Sequence, residues 1–207
     1  MTRPLFGKRT TPPSGKRKPQ GNSLTGFFLT PKIMTIMYVN TILSPDELSK
    51  LWAELAHDDQ LPDWYELSEH GEVVLRPKPH NRHQLLCTQI ALQLQTQLGG
   101  QAGVEVAVLT PTAGIRVPNV VWMLEEKWRM VTTDEGLIQA PELVVEVLSP
   151  GNRQTEINHK IQAYLASGIQ EVLVVGLTGT LEFYRQDGVH TTSILNFTLT
   201  LPPHLFQ

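Results

Sequence analysis

Glu146 interrupts the apolar run "LVVEVL". Strand alternation puts it on one face with Val144 and Leu148, while Leu143, Val145 and Val147 take the other, so both faces are apolar. An unpaired carboxylate in such a strand costs several kcal/mol, which calls for a metal, a lysine or a hydrogen-bond donor beside it. The structural alternative is a glutamate at a strand end, near water or paired with an arginine. Lys160 is the second candidate. On a helical wheel it lies about 60° from Ile157 and about 40° from Tyr164, beside an apolar stripe, so its stem can follow the core while its ammonium reaches over a strand end towards Glu146. A lysine in that place orients or activates a nucleophilic water; its bland counterpart is a snorkelling lysine at a core boundary. Third is Pro118-Asn119 in "GIRVPNVVWM", where proline inside a strand pattern marks an edge or bulge that can aim side chains at a site.

Other residues carry weaker signals. His80-x-x-His83 could be half of a zinc site, but no second pair stands at a suitable spacing. Cys87 is the single cysteine of 207 residues. It cannot form an internal disulfide, and nothing around it in the sequence would lower its pKa, so it reads as a buried thiol in a reducing, cytoplasmic setting. The four tryptophans read as packing residues. No phosphate-binding glycine loop and no serine-nucleophile elbow is present.

The elements that must position these residues are legible in part. Ser44 and Glu47 form a capping box with Pro45 at the first helical position, and Leu48, Leu51, Trp52 and Leu55 continue as an apolar stripe. "YELSEHGEVVLRP" reads as a hairpin turning at His70-Gly71. A helix over about His83 to Leu98 carries Leu86, Cys87, Ile90 and Leu94 on one face and stops at Gly99-Gly100. The runs "GVEVAVLT", "GIRVPNVVWM", "ELVVEVL", "EVLVVGL", "TLEFYRQ" and "HTTSIL" read as strands. A helix over about Thr155 to Ser167 separates the third from the fourth, and strand–helix–strand implies a crossover joining two parallel strands.

Composition divides the chain. The first 33 residues hold seven basic side chains and no acid, whereas the rest holds ten bases against twenty acids. Residues 1–36, rich in Pro, Gly, Ser and Thr without periodicity, are expected to be a disordered basic extension, with residues 37–207 forming a single domain. Met34 or Met37 is an alternative start. No stretch reaches the roughly 18–20 apolar residues of a membrane span, and the extension lacks the apolar core of a secretory signal.

"PNVVWM", "PELVVEVLSP" and "HKIQAYLASGIQEVLVV" together resemble the core of the Uma-two family of restriction-endonuclease-like proteins, within the PD-(D/E)XK nuclease superfamily. The resemblance runs from about Ser44 to Asp187. It implies an α/β fold with a restriction-endonuclease-like central mixed β-sheet flanked by helices, and a Mg²⁺ (or Mn²⁺) site acting on DNA. By resemblance, Glu146 takes the place of the family's strand glutamate and Lys160 that of its lysine, moved onto the next helix; Leu148 occupies the lysine's parental position. Glu72 matches an acidic position near the first hairpin. Where the family carries Pro-Asp, this chain has Pro118-Asn119, and a neutral amide should weaken a magnesium site. The expected metal ligands are Glu146, Asn119 and the Val147 carbonyl. The leading expectation is a metal-dependent DNA endonuclease, suited to a homodimer that cuts two strands. Its rivals are a catalytically degenerate module that binds nucleic acid or protein, and a fold kept for assembly alone.

Overall fold

The computed structural model describes residues 41–131 and 137–206, which belong to one compact unit, Ile36–Gln207. The basic extension expected over residues 1–36 lies outside the described residues. The elements follow in the order α1 (Pro45–Leu55), β1 (Tyr65–Leu67), β2 (Val73–Leu75), α2 (Asn81–Leu98), β3 (Gln101–Val104), β4 (Val108–Thr110), β5 (Gly114–Arg116), β6 (Val120–Met123), α3 (Glu125–Trp128), β7 (Ile138–Gln139), β8 (Leu143–Val147), α4 (Gln154–Ala166), β9 (Glu171–Val175), β10 (Leu181–Arg185) and β11 (Gly188–His190). A short 3₁₀ turn, Pro203–Phe206, comes last.

The capping box forms as its residues require: the Ser44 amide donates to Glu47 Oε2 at 2.8 Å, and the Glu47 amide donates back to Ser44 Oγ at 3.4 Å. The hairpin β1–β2 closes with Leu67 opposite Val73. Gly71 holds the turn at φ 79°, and a β-carbon there would meet the Leu43 and Leu51 side chains, so only glycine fits.

The strands form a mixed α/β fold in two sheets. One has the order β2-β1-β5-β4-β7, the other β11-β10-β9-β8-β6-β3. Two runs that read as single strands are each divided between them. "GVEVAVLT" breaks at Glu105, whose left-handed φ of 55° turns the chain out of β3 and into β4. "GIRVPNVVWM" breaks at Pro118, so β5 belongs to the first sheet and β6 to the second. The two crossings touch, since the Glu105 amide donates to the Asn119 carbonyl at 3.2 Å. The run "HTTSIL" leaves the sheet after His190; Ser193 and the Ile194 amide turn inward to serve the buried Glu171 instead.

Strands β8 and β9 are parallel and joined through α4, the expected crossover. The larger sheet is covered on both faces. Leu86, Cys87, Ile90 and Leu94 of α2 pack on Val120, Trp122, Val145 and Leu173. Ile157, Ile161 and Tyr164 of α4 pack on Val121, Val144 and Val172, together with Val108 and Ile138 from the smaller sheet. Burial on both faces is why β8 and β9 read as near-continuous apolar runs. Helix α1 closes a third cluster with Tyr65, Leu67 and Ile115.

Candidate active site

The acid that stands out in β8 lies at the seam between the sheets. Glu146 is 5% exposed and shares the α4-facing side with Val144. Helix α4 starts beyond the exit of β8 and runs back across it, which sets Lys160 and Tyr164, one helical turn apart, over Glu146. The Tyr164 hydroxyl donates to Glu146 Oε1 at 2.8 Å, and Lys160 Nζ stands 3.5 Å from the same oxygen. Lys160 Nζ also donates to Glu66 Oε1 at 3.0 Å. One ammonium therefore bridges two buried carboxylates from two different sheets.

Glu66 was not marked by the sequence reading. It sits in β1, 3% exposed, and is the most heavily engaged acid of the cluster. The Val117 amide donates to its Oε1 at 3.1 Å, Arg116 to its Oε2 at 3.1 Å, and Arg76 approaches at 3.7 Å. Arg76 also reaches Glu105 at 3.6 Å. The signal that could have found Glu66 is the one that found Glu146, an acid between apolar residues in a buried strand, but three residues of β1 are too short for the alternation to show.

Asn119 is 7% exposed and falls one step beyond the last β6–β8 pair, Val120 with Val145, the position that continuing the register would set against Glu146. Its Oδ1 accepts the Val147 amide at 2.7 Å. Glu72, in contrast, is held apart. It is exposed, and among the described residues its carboxylate takes a 3.4 Å bond from Ser68 Oγ within the hairpin turn. The hairpin acid that enters the cluster is Glu66, six residues earlier, because it points inward from the strand rather than outward from the turn.

Burial pulls the Lys160 ammonium down, but Glu146 and Glu66 outweigh it and leave its pKa above the ordinary lysine value, so the group is charged at neutral pH. Burial raises Glu66, yet Lys160, the Val117 amide and Arg116 together hold it below the ordinary glutamate value. The Tyr164 hydroxyl is pushed far up by burial and by Glu146, so it stays protonated and donates to that carboxylate. Cys87 is pushed up to about 12 by burial and the charges of Glu105 and Glu146, and is an inert thiol. His83 is shifted down, chiefly by burial.

Three acids, Glu66, Glu105 and Glu146, thus face three cations, Arg76, Arg116 and Lys160. Among the described residues no group of three or more His, Cys, Asp or Glu side chains is arranged to hold a metal, and His80 and His83 are no exception. The donor set left over is small. The hydrogen bond from Tyr164 and the approach of Lys160 both fall on Glu146 Oε1 rather than Oε2, and Asn119 Oδ1 keeps one lone pair beyond its bond to Val147. One carboxylate oxygen and one amide oxygen fit a weakly held hard cation that keeps most of its water. The cavity of about 530 Å³ lined by Leu165, Ile169, Arg185 and Ile194 lies at the entry of β9, the opposite end of the sheet from Glu146.

The comparisons with known proteins bear on the family of the chain and on its two-sheet α/β body. A crystal structure described as that of a "putative nuclease" from Anabaena variabilis matches with a TM-score of 0.55 at 20% identity, over 77% of this chain and 89% of that one, which shows a shared fold. Residues 53–207 match the model of the Uma2 family, described as "Putative restriction endonuclease", and the chain belongs to that family. No protein with a curated description matches the sequence. Among the described residues, no helix is long and apolar enough to cross a membrane.

Proposed function

We propose that this chain is a cytoplasmic, metal-dependent DNA endonuclease with a variant metal site, and that two copies act on the two strands of a duplex. The observation that carries the reading is the placement of Lys160 Nζ between Glu66 and Glu146. A phosphodiester hydrolase needs a fixed cation where charge develops on the phosphoryl oxygens, and a buried, pre-positioned ammonium supplies one without reorganisation. Because Lys160 is held charged, it acts as a donor that positions water or the phosphoryl group, not as the base that takes the water's proton. Glu66 keeps that ammonium in place, and Tyr164 fixes the Glu146 carboxylate so that Oε2 stays available. A magnesium or manganese ion held through Glu146 Oε2, Asn119 Oδ1 and the Val147 carbonyl would supply Lewis-acid stabilisation of the phosphoryl oxygens.

A second reading, a degenerate binding module, draws on a separate observation: the Asn119 oxygen already serves the Val147 amide, and the three acids are already matched by three cations. Asn119→Asp separates the two. An aspartate can keep the Val147 bond while adding a charge beside Glu146. Without divalent cation its melting temperature should fall; with Mn²⁺ or Mg²⁺ it should recover, and ion affinity should exceed wild type by about tenfold or more, ~1.4 kcal/mol for one added charge interaction. Plasmid nicking should rise in parallel, and Glu146→Ala in the same background should abolish the gain. A folded Asn119→Asp protein with unchanged ion affinity and no nicking would establish the binding module instead.

A further inference from the structure

From Val73 to Val104 the chain contains no acidic residue, in a body where acids outnumber bases two to one. That stretch carries Arg76, Lys78, His80, Arg82 and His83 within eight positions. Arg76 is turned inward onto Glu66 and Glu105. Lys78, His80 and Arg82 are exposed. Lys78 lies 5.1 Å from the Trp64 ring centroid, and neither Lys78 nor Arg82 has a carboxylate partner among the described residues.

Topology fixes where Arg82 stands, four residues beyond Lys78. Helix α2 ends at Gly99, whose carbonyl accepts the Trp122 indole N–H at 2.7 Å, so its last turn lies at the C-terminal end of β6. Its first turn, with Arg82, therefore lies at the Asn119 end, where β8 delivers Glu146 to the other face of the sheet. Arg153, also exposed and without an acid partner among the described residues, heads α4 at that same end, just past the exit of β8. Exposed cations at the end of the sheet that holds the buried cluster, with acids kept out of the segment that bears two of them, match a partner that presents phosphates in a row.

We propose that Lys78 and Arg82, with Arg153 at the same end of the sheet, form a clamp for the phosphate backbone of duplex DNA, holding a strand along the end of the sheet where the Glu146–Lys160–Glu66 cluster lies. The clamp rests on the nuclease reading for its choice of partner. It makes no base contacts, so it grips DNA of any sequence and weakens with salt.

The test is fluorescence anisotropy of the full chain with a short labelled duplex in EDTA across a salt series, alongside plasmid nicking in Mn²⁺. The variants are Lys78→Gln/Arg82→Gln and a control pair that removes the same charge elsewhere, Lys50→Gln/Arg129→Gln. The basic residues of the extension are retained throughout, so their share cancels in the comparison. Loss of two phosphate contacts should weaken binding about tenfold or more at moderate salt and reduce the slope of log K against log salt by about 2, at ~0.9 per contact; the control pair should follow wild type. The clamp is overturned if wild type does not bind the duplex, or if both pairs lose affinity and slope equally. Nicking reads the other proposal on its own. Clamp-dependent binding without nicking removes the nuclease and keeps the clamp, and nicking with binding indifferent to Lys78 and Arg82 does the reverse.

Discussion

Lys160 is the residue that ties the two sheets together at the seam. Its ammonium is matched by Glu66 at 3.0 Å and Glu146 at 3.5 Å in a site from which water is largely excluded. Removing one partner of such a pair leaves a buried charge uncompensated, whereas removing both keeps acids and cations of the cluster equal in number. Glu66→Gln should therefore cost about 3 kcal/mol, and Lys160→Met a comparable amount. The double variant should cost clearly less than the two combined, because contacting sites couple. Denaturant melts of the four proteins measure the coupling, and simple additivity would show that the bridge is not formed in solution. Cys87, buried beneath the same cluster, should resist thiol reagents in the native protein at mildly alkaline pH, since its pKa of about 12 leaves little thiolate.

At the level of elements, the C-terminal tail is attached by two glutamines. Gln93 exchanges bonds with the Thr200 backbone at 2.8 and 3.0 Å, and Gln97 does the same with Thr198 at 2.8 and 3.1 Å. The match is geometric: four residues of helix rise about 6 Å, close to the roughly 6.6 Å spanned by two residues of extended chain. Leu199, Leu201, Leu205 and Phe206 then reach the core beneath α2. Gln93→Ala/Gln97→Ala should release the tail, seen as much faster proteolysis after Asn196. The main unfolding transition should fall by only about 1–3 kcal/mol, because the bonds are exposed at the helix surface. Equal protease resistance in the variant would place the tail's attachment in its leucines alone.

For the whole molecule, the cluster sets the pH range of stability. Glu66 is held below its ordinary value of 4.5, so its contribution is present above that pH and is lost as pH falls through the folded value. Lys160 is held above its ordinary value of 10.5, so its contribution is complete below that pH and is lost as pH rises through the folded value. Cys87 adds to the alkaline loss between 9.0 and about 12. Melting temperature should thus be level across neutral pH and fall on both sides. Glu66→Gln should flatten the acid limb, and Cys87→Ala should move the onset of the alkaline limb upward. An acid limb unchanged in Glu66→Gln would assign it to other carboxylates.

The local sequence determined the capping box of α1, the hairpin at Gly71, the stop of α2 at Gly99, the β8–α4–β9 crossover and the burial of Glu146, because caps, turns and side-chain periodicity act over a few residues. It also brought Lys160 to Glu146, since a helix returning over its own strand has little freedom in where it lies. Tertiary structure alone decided that the strands fall into two sheets, that Glu105 and Pro118 each pass the chain from one sheet to the other, and that Glu66 rather than Glu72 enters the cluster. Glu66 and Lys160 stand 94 positions apart. What joins them is the packing of one sheet and α4 against the face of another, a long-range arrangement that leaves no period in the residues it brings together.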